Sequence, residues 1–405
     1  MKKASIILII ILLVITTESS GQGQAVNNDL ITVDVRSNYS QKKELIIQDF
    51  MDVEYIVLET KDGFFNQGFV QDVGKKIILV INKINDGNIF VYDRSGKALR
   101  KINHKGQQTS QEYTSILGIT LDEDNNEMFV NDPYTRSILV YDLYGKFKRS
   151  FKHKKSDDKP YYTDIFNYDK DNLICYYKDL KESKAFVLIS KKDGSITNEV
   201  KIPFKENISL TLKSTDGTKN TKVGSTHQVT TQVTLVGPGY YRTIIPFKGN
   251  WMLLETSSDT VYTFLPDYNL RPLLVRTPSI QSMSPKVFFL LSFCSDRYYF
   301  METMKYEYDW NTRTGFPRTS FVYDRQEKAF FECTLYNGDY SIKREIYLNF
   351  LKPVNHEIES WQAIEAYQLV ESYKKGELKN GKLKDIAAKL DEEDNPVIML
   401  VKHKK

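Results

Sequence analysis

Short apolar runs separated by polar turns recur along much of the chain. In one stretch, the runs 116–122, 128–131, 138–141 and 147–151 are rich in β-branched and aromatic residues, with Asp, Asn and Gly between them. Such alternation is typical of short antiparallel strands joined by tight turns. The three- and four-residue apolar spacing of an amphipathic helix is missing from this stretch. The pattern therefore predicts a unit of four antiparallel strands.

This unit recurs with a period of 49 residues. The run 89–93, followed by Gly96, matches the run 138–142, followed by Gly145, and a weaker copy ends at Gly194. A repeat of this length built from four short strands is typical of a β-propeller blade. More degenerate units follow in the second half of the chain.

The length of the chain sets the number of blades. About 300 residues remain after an N-terminal leader, a Thr-rich insert and a helical segment are subtracted, which makes six blades of 49 residues. The C-terminal run 396–401 is expected to pair with the N-terminal run 55–58, because joining the chain ends hides open strand edges. The sequence therefore predicts an all-β fold: one domain over residues 30–405, a six-bladed β-propeller of four-stranded antiparallel blades.

Two segments interrupt the repeat. Residues 205–238 are rich in Thr, Ser, Lys and Gly and predict a long loop between blades. Residues 360–391 predict a short C-terminal helical insertion before the closing strand, because two apolar stripes recur at helical spacing. The stripes consist of Ile364, Tyr367, Val370 and Tyr373 and, beyond Gly376, of Leu383, Ile386 and Leu390. These helices either pack against the propeller or bind a partner in an envelope complex.

The N-terminus has the organisation of an export signal. Lys2 and Lys3 precede the apolar run 6–15, and polar and small residues follow. A basic start, a short apolar core and small residues after it predict a secretory signal peptide over residues 1–21. The run is shorter than the roughly 20 residues that span a bilayer, and no Cys lies near the cleavage point. The mature protein is therefore expected in the periplasm or at the cell surface, soluble rather than lipid-anchored.

The composition removes several classes of function. The 405 residues include 26 Tyr and 22 Phe, far more aromatic surface than a disordered chain carries. The 56 basic and 52 acidic residues nearly balance, which argues against a nucleic-acid partner. The three cysteines lie far apart and predict free thiols, and neither a metal nor a cofactor is expected. The mature protein is expected to be a monomer.

Several segments together resemble one protein family. Residues 55–60 look like its N-terminal motif and residues 89–105 like its first full repeat. Further matching segments are 107–113, 258–262 and 394–397. The chain resembles the TolB-like six-bladed β-propeller proteins exported by Bacteroidetes, although Thr109-Ser110-Gln111 stands where many members carry Gly-Pro-Gly. The resemblance implies a propeller fold and an extracytoplasmic location, and some members are associated with glycan-uptake systems.

Recognisable catalytic motifs are missing from the sequence. It contains no Gly-x-Ser-x-Gly, and none of its five histidines has a triad context. The acidic run 122–126 lacks the Gly and Glu of a calcium loop, so turn chemistry explains it better. Glu59, Asp72 and Asp132 either point carboxylates into the central channel or satisfy backbone groups at strand ends. A non-catalytic binding module is therefore favoured, and a metal-assisted hydrolase or lactonase with channel carboxylates is the alternative.

One face of the propeller carries the candidate binding site. The link between two blades lies on the same face as the turn between the second and third strands, here residues 104–113 and 132–136. The candidate ligand-binding residues are Lys105, Gln107, Glu112, Tyr113, Asp132, Tyr134 and Arg136. Aromatic rings, carboxylates and an Arg on one rim suit a glycan, a peptide or an envelope protein. The alternative is that Glu112 and Arg136 pair with each other or with the backbone.

Overall fold

The N-terminal segment forms three strands that lie in three different sheets. They are β1 (Ile31–Asp34), β2 (Lys42–Ile46) and β3 (Met51–Val57), and the one-turn helix α1 (Ile47–Phe50) joins the last two. The computed structural model describes residues 30–153, 162–177, 186–208, 211–215, 232–236, 241–309, 312, 314–347 and 353–404, with the backbone alone in 211–215 and 232–236. The predicted signal peptide, residues 1–21, lies outside these ranges.

The following residues build the first three blades of a propeller. Blade one contains β4 (Phe69–Val73), β5 (Ile77–Ile81), β6 (Ile89–Asp93) and β7 (Ala98–Ile102). Blade two contains β8 (Gly118–Asp122), β9 (Glu127–Asp132), β10 (Ser137–Asp142) and β11 (Phe147–Lys152). Blade three contains β12 (Tyr162–Asn167), β13 (Asn172–Tyr177), β14 (Phe186–Ser190) and β15 (Ile196–Val200). The first strands of these neighbouring blades contact each other, so they line the central channel.

The second half of the chain completes the ring, after a hairpin of β16 (Thr211–Thr215) and β17 (Gln232–Val236). Blade four contains β18 (Ile244–Phe247), β19 (Asn250–Leu253), β20 (Thr260–Phe264) and β21 (Leu270–Thr277), followed by a 3-10 turn, Ile280–Ser282. Blade five contains β22 (Val287–Cys294), β23 (Tyr298–Lys305), β26 (Arg318–Asp324) and β27 (Ala329–Asn337). Short strands accompany it: β24 (Tyr308–Asp309), β25 (Thr314–Gly315) and β28 (Arg344–Glu345).

Blade six joins the two ends of the described chain. It contains β29 (Ile358–Ile364) and β30 (Val397–His403), with helices α2 (Ala366–Lys374) and α3 (Lys382–Ala387) between them, and β3 completes it. The predicted six-bladed all-β propeller with a helical insertion before the closing strand is therefore confirmed. Blade six differs from the others because its described part has three strands rather than four.

The middle strands of the blades are buried on both faces. Every residue of β5 and of β9 is buried, because each blade is covered by a neighbour on either side. Leu79 and Val91 of blade one, for example, share one apolar cluster with Val130 and Leu139 of blade two. This double burial explains the nearly continuous apolar runs that mark the repeat in the sequence.

Each of the three N-terminal strands pairs with a strand of a different blade. β1 pairs in parallel with β21 of blade four, and β2 pairs in parallel with β27 of blade five. β3 pairs antiparallel with β30, from Met51 opposite His403 to Val57 opposite Val397. This last pairing confirms the predicted closure of the ring, whereas the two parallel pairings were not predicted. They cover strand edges that would otherwise expose unpaired backbone groups.

A buried carboxylate connects the N-terminal strand β2 to blade five. Asp324 is fully buried and accepts hydrogen bonds from Lys43 Nζ of β2 at 2.7 Å and from Arg297 Nη2 at 2.8 Å. The backbone N–H groups of Gln326 and Glu327 also donate to it. Burial alone would raise the pKa of Asp324, but the bonds from Arg297 and Lys43 hold it well below its usual range.

We expect Asp324→Asn to lower the free energy of unfolding by about 2–3 kcal/mol at neutral pH, because Lys43 and Arg297 lose their carboxylate. Since the pKa is lower in the folded chain than the 3.8 of a free Asp, this contribution is present above about pH 4 and is lost as the pH falls further. Urea unfolding followed by Trp fluorescence at neutral and acid pH measures both effects. The control is Glu332→Gln, which breaks the exposed pair of Glu332 with Lys42 and should cost less than about 1 kcal/mol. Equal losses in the two variants would contradict the expectation.

The helical insertion begins later than predicted. Ile364, assigned to a helical stripe, lies in strand β29, which is paired with β30 from Ile358 to Ile364. The prediction was wrong because an apolar residue at a strand end also fits helical spacing. In α2 the buried apolar residues are Ala366, Leu369 and Val370, whereas Tyr367 and Tyr373 are exposed. The second stripe is correct, since Leu383, Ile386 and Leu390 belong to the apolar cluster under blades five and six.

The Thr-rich insert is not a plain loop. Its segments β16 and β17 pair antiparallel, with Thr211 opposite Val236. The prediction of a loop over 205–238 is therefore wrong for these two strands. Residues 209–210, 216–231 and 237–240 lie outside the described part of the chain.

Candidate functional site

The two faces of the propeller carry different connections. One side of the propeller carries the inter-blade link 103–117 and the turn 132–136, and we call it the link face. The other side carries the hairpin turns 74–76, 94–97 and 123–126, and we call it the turn face. On the link face the backbone N–H of Thr114 donates to Asp132 Oδ2 at 2.8 Å. The structure therefore brings together the link and the turn that the sequence analysis placed side by side.

Four of the seven candidate ligand-binding residues reach the surface of the link face. Lys105, Gln107 and Tyr134 are exposed, and Arg136 is half-buried. The side chain of Tyr134 is 76% exposed. Lys105 Nζ donates to the backbone carbonyl of Asn85. These four side chains are available to a ligand, and their role in binding stays a prediction.

The other three candidates hold the loops of the link face in place. Tyr113 is fully buried, donates through its hydroxyl to Gly87 O at 2.7 Å and accepts from the backbone of His104 at 3.0 Å. Burial raises the pKa of this hydroxyl to about 12. Asp132 is also fully buried and bonded to backbone N–H groups. Glu112 accepts the N–H of Gln108 at 2.9 Å, which fits the alternative of backbone pairing for this residue.

The sequence analysis missed three exposed apolar residues on this face. They are Phe65, Ile84 and Leu117, and together with Tyr134 we call them the link surface. Hydrogen bonds connect the loops that carry them: Lys83 N donates to Gln67 Oε1 at 2.8 Å, and Asn85 Nδ2 donates to Ser115 Oγ. Large apolar residues inside segments rich in Asn, Asp and Gly were the signal that could have found them.

Some charged side chains around the link surface have hydrogen-bond partners, and others have no partner of opposite charge. Glu112 and Asp132 bond to backbone N–H groups, and Asp86 accepts bonds from Asn82 and Asn88. Burial acts to raise the pKa of Asp86, but the bonds from Asn82 and Asn88 outweigh burial, so the pKa lies below its usual value. In contrast, Lys83 and Arg136 have no carboxylate partner among the residues that the structure describes, and Lys152 Nζ donates to the carbonyl of Thr135. The surface therefore offers positive charge that no described carboxylate neutralises.

The turn face has a cavity of about 500 Å³ at the end of the central channel. Residues of blades one, two, three and four line it, together with the segment that leads into blade six. Its lining includes Asp72, Lys75, Arg94, Leu121, Asp122, Glu123, Asp124, Phe166, Asn167, Trp251, Asn355, His356 and Glu357. Nothing in the sequence pattern indicated this cavity, because its walls come from segments far apart along the chain.

The three carboxylates considered for the channel all satisfy backbone groups. Glu59 accepts Ala98 N at 2.8 Å, and Asp132 accepts Thr114 N. Asp72 is half-buried and accepts Leu121 N and Val73 N, both at 2.8 Å. Burial raises the pKa of Asp72 to about 7, and the two N–H bonds oppose this rise without cancelling it. Across the part of the chain that the structure describes, no three His, Cys, Asp or Glu side chains converge as metal ligands do.

The acidic run 122–126 shows turn chemistry. Asp122 accepts Lys191 Nζ at 2.6 Å and the backbone N–H of Asn125. Glu123 accepts three consecutive N–H groups of blade one, from Lys75, Lys76 and Ile77. Both carboxylates therefore bind groups of the propeller itself, which agrees with the interpretation as a turn.

Comparison with known proteins identifies the family. A family model described as a domain of unknown function, DUF4934, matches residues 30–402. The chain belongs to this family. A search of curated proteins found no match. None of the helices in the described ranges is long and apolar enough to cross a membrane.

Solved structures that are similar to this chain include two proteins from Bacteroides. A candidate exported protein of Bacteroides fragilis has 15% identity and a TM-score of 0.52, over 93% of this chain and 99% of that one. A DUF4221 family member of Bacteroides vulgatus has 9% identity and a TM-score of 0.45, over 88% and 100%. Virginiamycin B lyase of Staphylococcus aureus has 10% identity and a TM-score of 0.31, over 72% and 94%. At 15% identity, the first of these likenesses supports the propeller fold and nothing finer.

Proposed function

We propose that this member of the DUF4934 family is an exported, TolB-like, non-catalytic binding module. Its link surface would dock a protein or peptide segment in which carboxylates flank apolar side chains. The observation that carries the proposal is the set of exposed large apolar side chains Phe65, Ile84, Leu117 and Tyr134 on loops that hydrogen bonds hold in place.

The apolar part of the surface favours a protein or peptide over a small polar molecule. Phe65, Ile84 and Leu117 have no hydroxyl or amide with which to orient a sugar, and apolar area removed from water is what stabilises protein contacts. The loops are fixed before binding, since Tyr113 and Asp132 bond to them from beneath. A preformed surface loses little conformational entropy when a partner docks.

The charge of the surface favours an acidic partner. Lys83 and Arg136 lack a carboxylate partner among the described residues, whereas Asp86 and Glu112 already accept hydrogen bonds. Carboxylates of a partner can pair with these cations without displacing an internal ion pair.

The alternative of a metal-assisted hydrolase requires carboxylates that are free to hold a cation. Glu59, Asp72 and Asp132 are each bonded to backbone N–H groups. Binding a cation would therefore break bonds that hold strand ends and neighbouring blades together. The available groups of the link face suit recognition better than this chemistry.

A displayed peptide library tests the proposal. A random dodecapeptide library is panned on the wild-type protein, and selected peptides are measured by titration calorimetry on Tyr134→Ser/Arg136→Asn. Arg136 has a φ of +50°, which Asn tolerates well, so the pair of changes leaves the turn intact. We expect peptides with aromatic or aliphatic residues beside Asp or Glu, and at least about tenfold weaker binding to the variant.

The matched control is Tyr144→Ser on the turn face, because Tyr144 is 71% exposed, close to the 76% of Tyr134. This variant should bind the selected peptides like the wild type. Equal affinity of the link-face variant and the wild type would overturn the site. If a glycan array shows binding to this face and the panning selects no peptide, the proposed class of partner is wrong.

A further inference from the structure

The cavity on the turn face has two unlike walls. Lys75 and Arg94 belong to the hairpin turns of blade one. Phe166 of blade three and Trp251 of blade four also line it. Blades one and four stand opposite each other in a ring of six, so a ligand in the cavity meets cations on one side and aromatic rings on the other.

The cations on the first wall are only partly used by the protein. Arg94 Nη2 donates to Glu54 Oε2 at 3.1 Å, and Glu54 also pairs with Lys402 at 3.1 Å. Arg94 Nη1 is buried and has no hydrogen-bond partner among the described residues. The exposed Lys75 side chain has none there either. The Nη1 group of Arg94 and the ammonium group of Lys75 therefore remain for a ligand.

The carboxylates inside the cavity are already engaged. Asp72 and Glu123 accept backbone N–H groups, and Asp122 pairs with Lys191. Asp124 and Glu357 are exposed, as is Lys75. Within the described lining, the three less exposed carboxylates thus have partners, whereas the buried Arg94 Nη1 has none.

The second wall is rigid and aromatic. The ring of Trp251 stacks on Tyr168 at 5.8 Å and meets His356 edge-on at 4.5 Å. His356 Nδ1 is buried without a partner among the described residues. Burial lowers the pKa of His356 to about 4, so its ring is neutral at pH 7 and can bond a hydroxyl or an amide.

We propose that this cavity binds a small ligand with a carboxylate at one end and a ring at the other. The carboxylate lies against Lys75 and Arg94, and the ring lies against Phe166 and Trp251. An acidic sugar and the C-terminal residue of a peptide share this chemistry, and the cavity of about 500 Å³ has room for either. This site goes beyond the proposed docking function, since it lies on the opposite face and uses none of the link surface.

Titration calorimetry with four probes separates the two sources. The sugar pair is methyl glucuronide and methyl glucoside, and the peptide pair is acetyl-Gly-Phe with a free or an amidated C-terminus. We expect one acidic probe to bind at least about tenfold more tightly than its neutral counterpart, with an affinity that falls as salt rises. Equal affinity within both pairs, or no binding of any probe at millimolar concentration, would overturn the ligand class.

Lys75→Ala/Arg94→Met tests the position of the carboxylate. Glu54 keeps Lys402 as its partner in this variant, so no buried charge is stranded, and a thermal melt checks the fold. Affinity for the acidic probe should fall at least about tenfold, whereas Lys97→Ala, an exposed Lys of the same face outside the cavity, should leave it unchanged. Unchanged affinity in the double variant would overturn the site. The link-face variant Tyr134→Ser should bind the probe normally, so this test and that of the docking function fail independently.

Discussion

Replacing Arg242 with Met is expected to lower the free energy of unfolding by about 3–5 kcal/mol, because it strands a buried carboxylate. Arg242 Nη1 lies 2.6 Å from Glu359 Oε1, and the two side chains are only 7% and 0% exposed. Glu359 also accepts the backbone N–H of Cys294 at 3.1 Å. The Arg242–Glu359 pair therefore connects blade four to blade six, and the bond from Cys294 adds the inner strand of blade five.

The loss should depend on pH in a defined direction. Burial already raises the pKa of Glu359, although Arg242 opposes the shift. Without Arg242 the folded chain favours the protonated carboxyl even more. A raised pKa means that the stability penalty is largest at high pH and shrinks as the pH falls towards the value of an unfolded Glu. Arg242→Met should therefore regain part of its lost stability between about pH 7 and pH 5.

Chemical unfolding of a small set of variants measures this effect. The set is Arg242→Met, Glu359→Gln and the double variant, and the double variant should lose less than the sum of the two single changes. The control is Lys343→Met, which breaks the pair with Glu44 whose side chains are 66% and 57% exposed and should cost less than about 1 kcal/mol. A loss at Arg242 as small as that of the control would contradict a structural role for the buried pair.

Replacing Gly96 with Ala should cost about 3–4 kcal/mol, through strain and a backbone clash together. Gly96 has a φ of +90°, and an added Cβ would lie 1.9 Å from the carbonyl oxygen of Val57. Val57 cannot move away easily, because it is paired with Val397 in blade six.

Gly249→Ala provides the matched control for Gly96→Ala. Gly249 also has a positive φ, +77°, but an added Cβ would meet nothing within 4 Å. Only the backbone strain of about 1 kcal/mol should remain there. Thermal or urea unfolding compares the two variants. Similar losses would mean that conformation alone, and not the contact with Val57, requires glycine at position 96.

The repeat made the fold predictable because blades are built from local contacts. Each turn between third and fourth strands needs a residue with positive φ, and Gly96, Gly145 and Gly194 supply it with φ values of 90°, 94° and 74°. The strands between such turns pair with their sequence neighbours. The strand order could therefore be derived from the periodicity. The number of blades followed from the period together with the chain length, and the ring closure from the need to cover open strand edges.

Pairings between distant segments could not be derived in this way. β1 joins β21 with Ile31 opposite Leu274, and β2 joins β27 with Lys43 opposite Cys333. No periodic signal marks such a pairing, because a parallel edge strand needs only a free edge to accept it. The same limit explains the misplaced start of the helical insertion, where the pairing of β29 with β30 outweighs the helical spacing around Ile364.

The sequence by itself determined which loops share a face, but only the tertiary structure decided which side chains on that face are free. Tyr113 and Tyr134 looked equivalent as candidates, yet Tyr113 is buried under the loop of Gly87 and Tyr134 points into solvent. The cavity of the turn face is a stronger case, since its walls combine Lys75, Phe166 and His356 from three blades. The physical reason is that exposure depends on what neighbouring blades place over a side chain, and those neighbours come from elsewhere in the chain.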